Sequence, residues 1–245
     1  MPIPFEGLRP ALGRDHVAWV VGAMAGGQGV DLVVPATFEG YARIHHRIHS
    51  GQRWADFAPE YLVRGLEMYD YIGSKLEFID GDGNLDAEDL DALVPLLTAA
   101  TTTPNECHYA LWRGWGWVYP GSMAVCSSPP ASAEAQAIEL AFNEAMTPVW
   151  SFAAACPVEP WWGGRDMILF DGPVDAVSTI GHRHSDQTHI QRQCPQWWWP
   201  EDQAWFVGTE IDDAWTYVAG THSLIEEILA TPQWESVGVV PTDRW

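Results

Sequence analysis

Two short runs rich in β-branched residues, Val17–Val21 and Val30–Val34, flank Gly26-Gly27-Gln28-Gly29 and predict a hairpin or two neighbouring strands, the second ended by Pro35. From Phe38 to Ile48 the positions alternate. Tyr41, Arg43, His45 and Arg47 share one face of a strand, and Ala42, Ile44, His46 and Ile48 the other. A helix would instead align Phe38, Tyr41, Ala42 and His45, and the cleaner alternation favours the strand. Leu62, Leu66 and Tyr69 recur at helical spacing and predict a helix over Ala58–Ile72. Leu90, Leu93, Val94 and Leu97 form an apolar stripe that predicts a helix over Ala87–Ala99, with Asp86 and Asp89 as its acidic start signal.

Further along, Cys107–Arg113 and Met167–Phe170 read as strands. Ala131–Ala155 reads as a helix interrupted near Pro148, where a backbone donor is missing. Ala204–Ile211 and Trp215–Ala219 read as a strand pair around Asp212-Asp213, followed by a helix over Leu224–Leu229 and a last strand over Val237–Val240. These elements do not alternate regularly. The expected class is therefore α+β, with a mixed, largely antiparallel sheet and packed helices, and not a doubly wound fold. The chain of 245 residues suits a single globular domain over 1–245, with a weak subdivision near Pro129-Pro130 as the one candidate boundary.

Composition narrows the function classes. Twelve basic against 33 acidic residues give a net charge of −21, and carboxylates are in excess in both halves of the chain. Such a surface repels phosphate backbones and favours encounter with basic proteins, so nucleic acid is not an expected partner. The run Val17 to Val34 is broken by glycines, Gln28 and Asp31, and no basic segment precedes an apolar one at the start. No membrane association and a cytoplasmic location are expected. The four cysteines are scattered without a C-x-x-C, so reduced, buried thiols are expected. Tryptophan is in excess, with 15 copies that include the triplet Trp197-Trp198-Trp199. Core packing and an exposed sugar-stacking platform are both open readings of that triplet.

Several blocks resemble those of an uncharacterised bacterial protein family. They are Val33-Val34-Pro35-x-x-Phe38-Glu39-x-Tyr41-Ala42-Arg43-Ile44-x-His46, Thr103-Pro104-x-x-Cys107-x-x-Ala110-x-Trp112-x-Gly114, Trp198-Trp199-Pro200-Glu201-Asp202-x-Ala204-Trp205-Phe206-Val207-x-Thr209-Glu210-Ile211-Asp212 and Thr216-Tyr217-Val218-x-Gly220. Together they span roughly half of the chain in separated pieces. The resemblance implies no activity, substrate or catalytic residue. The chain departs from the family pattern at Gln203, which replaces a basic residue, and in the histidine-rich stretch His182–His189, which falls at a variable connection.

Three clusters carry candidate chemistry. His182, His184, Asp186 and His189 form an imperfect H-x-H-x-D-H run, the metal-ligand pattern of metallo-β-lactamase-fold hydrolases, with Val177–Ile180 as the strand before it and Gln187 where the last histidine belongs. Zinc is the ion such a loop would take. Asp80, Asp82, Asp86 and Asp89 fall on ligand positions of a calcium loop if Gly83 is its turn glycine, although Phe78 then occupies the first ligand position. The bland alternative is an acidic turn that caps the next helix. Glu210 and Asp212 lie two apart on a predicted strand and so share a face. With Tyr41, Arg43 and His45 they make a candidate polar pocket, or else Arg43 ties one of these acids structurally. The P-loop, the G-x-S-x-G elbow and H-E-x-x-H are absent from the sequence.

The leading expectation is an acidic binding protein, inhibitor- or immunity-like, that engages a basic protein partner. A metal-dependent hydrolase using the His182–His189 loop is the first alternative. Carbohydrate binding through exposed Trp197, Trp198 and Trp199 is the second.

Overall fold

A computed structural model describes residues 3–48, 53–57, 59–62, 83–120, 132–183 and 189–244. Its strands are β1 (Arg9–Pro10), β2 (Gly40–His45), β3 (Cys107–Trp112), β4 (Val158–Glu159), β5 (Met167–Gly172), β6 (Gly181–His182), β7 (Gln191–Arg192), β8 (Trp197–Pro200), β9 (Phe206–Gly208), β10 (Trp215–Gly220) and β11 (Ser236–Val239). Its α-helices are α1 (Ala18–Met24), α2 (Trp54–Phe57), α3 (Ala87–Ala99), α4 (Ala133–Ala155) and α5 (His222–Ala230).

Nine strands form one sheet in the order β1-β5-β3-β8-β9-β10-β2-β11, with β4 also paired to β5, while β6 and β7 form a separate ribbon. Every pairing among the described residues is antiparallel. The class is α+β, as the irregular order of elements predicts.

The sheet is buried on both faces, which explains why its strands read as near-continuous apolar runs. One face carries Ala42, Ile44, Tyr109, Leu111, Ile168, Phe170, Trp198 and Val218 and packs with Leu90, Leu93 and Leu97 of α3, Met146 and Val149 of α4 and Ile225 and Ile228 of α5. The other carries Tyr41, Ala110, Leu169, Trp197, Trp199, Phe206, Trp215 and Tyr217 and packs with Val17, Val20 and Met24 around α1.

Strand alternation divides the tryptophan triplet between these faces, and all three rings are at most 2% exposed. The exposed platform expected for sugars is thus corrected: β8 is a central strand, and its indoles are core.

The predicted hairpin over Val17–Val34 is also corrected. Asp15–Val17 is a 3₁₀ turn leading into α1, and Val30–Leu32 is a second 3₁₀ turn. The same valines fit a helical period. Val17, Val20 and Met24 fall on one side of the turn and helix and are all buried. A strand would send Val17 and Val20 to opposite faces. Burying such side chains is worth about 1.5–3 kcal/mol each, against a total span of about 1 kcal/mol for strand propensity.

Helix α4 runs without a break through Pro148. Buried Met146, Val149 and Ala153 anchor it on both sides of the proline. Their packing offsets the roughly 3 kcal/mol that an internal proline costs. Helix α3 has the predicted bounds, with Asp86 accepting from the Glu88 amide as its N-cap. Of the predicted helix over Ala58–Ile72, a 3₁₀ turn at Pro59–Leu62 is described. The remainder lies outside the described residues, as does Pro129-Pro130. No described helix is long and apolar enough to cross a membrane.

Candidate functional site

Among the described residues, one group of metal-capable side chains converges: the donor atoms of His16, His108 and Asp171 lie within 4.8 Å of one another. The sheet register assembles it. His108 of β3 sits directly opposite Asp171 of β5 on one side and Trp199 of β8 on the other, so all three project from one face. His16 arrives from the 3₁₀ turn before α1, and its ring stacks on that of His108 with centroids 4.5 Å apart. Trp199 forms the floor, 5.5 Å from the His108 ring and 6.0 Å from the His16 ring.

The two imidazoles have opposite electrostatics. His108 is held by carboxylates at both nitrogens, Nδ1 with Asp171 Oδ1 at 2.8 Å and Nε2 with Glu201 Oε2 at 2.7 Å. Burial disfavours its charge, but these bonds outweigh burial and hold its pKa above the usual histidine value. Both of its nitrogens thus face carboxylate oxygens. The pKa of His16 is lowered, first by burial and then by the charge on His108. Its Nε2 is buried and has no hydrogen-bond partner among the described residues. An unmet buried polar group of this kind costs about 1–3 kcal/mol. Asp171 is nearly buried, whereas Glu201 is exposed, so the cluster opens to solvent on the Glu201 side.

The sequence reading missed this cluster because its members are far apart in the chain. A usable signal existed: His108 and Asp171 are the polar residues inside strands that are otherwise apolar on both faces.

The predicted polar pocket is rearranged. Strand β9 stops at Gly208, so Glu210 and Asp212 lie in the turn after it. Arg165, and not Arg43, ties them together, with Nε to Glu210 Oε1 and Nη2 to Asp212 Oδ2, each at 2.7 Å. Arg43 is buried with its guanidinium 4.7 Å over the Trp215 ring. The Tyr41 hydroxyl accepts from the Phe38 amide and donates to the Pro35 carbonyl, and His45 Nδ1 lies 2.9 Å from the Glu235 carbonyl oxygen. Tyr41, Arg43 and His45 do share a face of β2, as the alternation predicts, but that face packs on the core around Trp215 and Tyr217.

In the predicted calcium loop, Asp86 is the cap of α3. Asp89 is buried in a two-point pairing with Arg47, both bonds 2.9 Å long. Both oxygens of Asp89 are thus taken by Arg47 and Gln233, which leaves it unsuited to the calcium position, while Asp86 has one oxygen in its cap bond. Asp80 and Asp82 lie outside the described residues. Gly83 has φ +64° and sits where a Cβ would collide with the Ile211 carbonyl oxygen. Its glycine therefore serves a close chain crossing.

In the histidine stretch, His182 stacks on Trp117 with centroids 5.3 Å apart. His189 lies instead on the rim of a groove of about 540 Å³ lined also by Asp86, Glu88, Asp91 and Arg192. His184 and Asp186 lie outside the described residues. Val177–Ile180 is not the expected strand, because Val174–Thr179 is a 3₁₀ helix.

Cys107, Cys156 and Cys194 are free thiols, and burial pushes each up to about 12, so they stay protonated. Neither family models nor curated proteins nor solved structures match the chain.

Proposed function

We propose that this protein acts by binding, through its acidic surface, a basic segment of a partner protein. The observation that carries this reading is how the few basic groups are used. Arg14, Arg47, Arg53, Arg165 and Arg192 are each paired to a carboxylate of the same chain. Arg43 and Arg113 lie against aromatic rings. Most of the basic residues are thus engaged internally, in a chain whose net charge is −21. The groove beside α3 is lined by Asp86, Glu88 and Asp91, with Arg192 of the lining paired to Asp91 and Arg47 reaching Glu88, so three carboxylates face two guanidiniums. Long-range attraction of this sort accelerates encounter and suppresses wrong partners.

A synthetic Lys/Arg-rich peptide of about 15 residues, titrated by fluorescence anisotropy, tests the reading. Binding should weaken steeply as salt rises from about 0.05 to 0.5 M, because attraction between solvent-exposed charges is then largely screened. The double variant Glu88→Gln, Asp91→Asn should weaken it more than Glu226→Gln, Glu227→Gln on α5, a pair of exposed carboxylates on another element. Equal losses in the two variants, or salt-independent binding, would overturn it.

A further inference from the structure

We propose that His16, His108 and Asp171 form a binding site for a single divalent transition metal, zinc by preference, with Glu201 orienting His108 from behind. The proposal rests on four features that meet at one place. Two imidazole nitrogens and a carboxylate oxygen already lie within 4.8 Å of one another. Ligand atoms around tetrahedral zinc at 2.0–2.1 Å are about 3.3–3.4 Å apart, so side-chain shifts of about 1–1.5 Å close the set. Nitrogen and carboxylate donors suit zinc, cobalt and nickel better than calcium or magnesium.

The second feature is His16 Nε2, a buried nitrogen without a partner among the described residues. A ring nitrogen that no hydrogen bond occupies is open to a metal. The third is the donor set around His108: two carboxylates, Asp171 and Glu201, lie within 2.8 Å of its ring. The fourth is the clamp on His108. A metal entering between His108 Nδ1 and Asp171 displaces the Nδ1 proton to water, while Nε2–H keeps its 2.7 Å bond to Glu201. A carboxylate on the far nitrogen fixes the tautomer and the ring orientation of a metal-bound histidine. Three protein ligands leave a fourth position for water on the open side.

Zinc chloride titrated into tag-free, chelator-treated protein at neutral pH, followed by competition with a chromophoric chelator, measures stoichiometry and affinity. One equivalent should bind, with release of protons and a rise in melting temperature. His16→Ala and Asp171→Asn should each weaken zinc by on the order of 100-fold or more. Glu201→Gln should weaken it by about 10-fold, since it removes only the orienting charge. Cobalt(II) in place of zinc should give visible d–d bands that are lost in His16→Ala. Melting of the metal-free variants separates lost binding from lost folding, and Asp171→Asn keeps the shape of the site where alanine would not. Less than one-fifth of an equivalent bound to the wild type overturns the proposal. So does binding that survives His16→Ala but disappears in His184→Ala or His189→Ala, which would move the ion to the histidine-rich stretch.

Discussion

Asp89 and Asp171 are both buried carboxylates facing a basic side chain from another element, yet their surroundings differ in kind. Asp89 accepts from Nε and Nη2 of Arg47 and from Gln233 Nε2 at 2.7 Å, so both of its oxygens are used. Arg47 also reaches Glu88, and its own protonation is reinforced, first by the bonds to Asp89. The set is complete, because each oxygen of Asp89 has a donor. Asp171 faces one nitrogen of His108, shares that imidazole with Glu201, and lies near His16, whose Nε2 has no hydrogen-bond partner among the described residues. A closed, bidentate pair serves the fold, whereas an incomplete cluster on a rigid aromatic floor retains capacity for a ligand.

Breaking the closed pair should have the largest effect. Arg47→Ala leaves Asp89 buried with Gln233 as its remaining donor. It should destabilise the protein by about 2–3 kcal/mol, below the usual cost of breaking a buried pair because Arg47 is 39% exposed. Urea unfolding measures it, and a loss under about 0.5 kcal/mol would erase the contrast. At the open cluster the sign should reverse. His16→Leu removes the unsatisfied nitrogen and keeps much of the ring's volume, so the metal-free protein should gain up to about 1 kcal/mol. A loss of similar size in the same assay would mean that the histidine has a structural partner.

A third carboxylate sharpens the comparison at its weak end. Burial opposes the charge of Asp202, but hydrogen bonds from the Thr102 hydroxyl and amide and the Thr101 hydroxyl outweigh it, and its pKa is held below the ordinary 3.8. A depressed carboxylate pKa contributes stability that is present above the unfolded value and lost as pH falls through the folded one. Asp202→Asn should therefore be less stable than wild type at neutral pH, by under about 1 kcal/mol given its exposure. The difference should vanish progressively as pH drops below 3.8. A gap that stays constant down to pH 2 would assign the effect to shape, not charge.

Local pattern was enough wherever one element decides its own burial. The stripe Leu90, Leu93, Leu97 places α3 with its cap at Asp86, and the alternation from Tyr41 to His45 places β2. The pattern misled where β-branched residues also fit a helical period, at Val17 and Val20, and where packing carries a helix past Pro148. It misled again on reach. Asp86 and Asp89 looked like ligands by spacing alone, but their partners, the Glu88 amide next door and Arg47 from a distant strand end, had already claimed them.

What the sequence determined by itself is therefore the class of object, an acidic α+β chain, because composition and short-range periodicity are properties of neighbouring residues. What only the tertiary structure decided is which polar groups meet. His16, His108 and Asp171 are brought together by antiparallel register and by a turn docked on the sheet, and neither leaves a mark on local spacing. The same register sends Trp197, Trp198 and Trp199 into the core, because side chains alternate across a strand whose two faces are both covered.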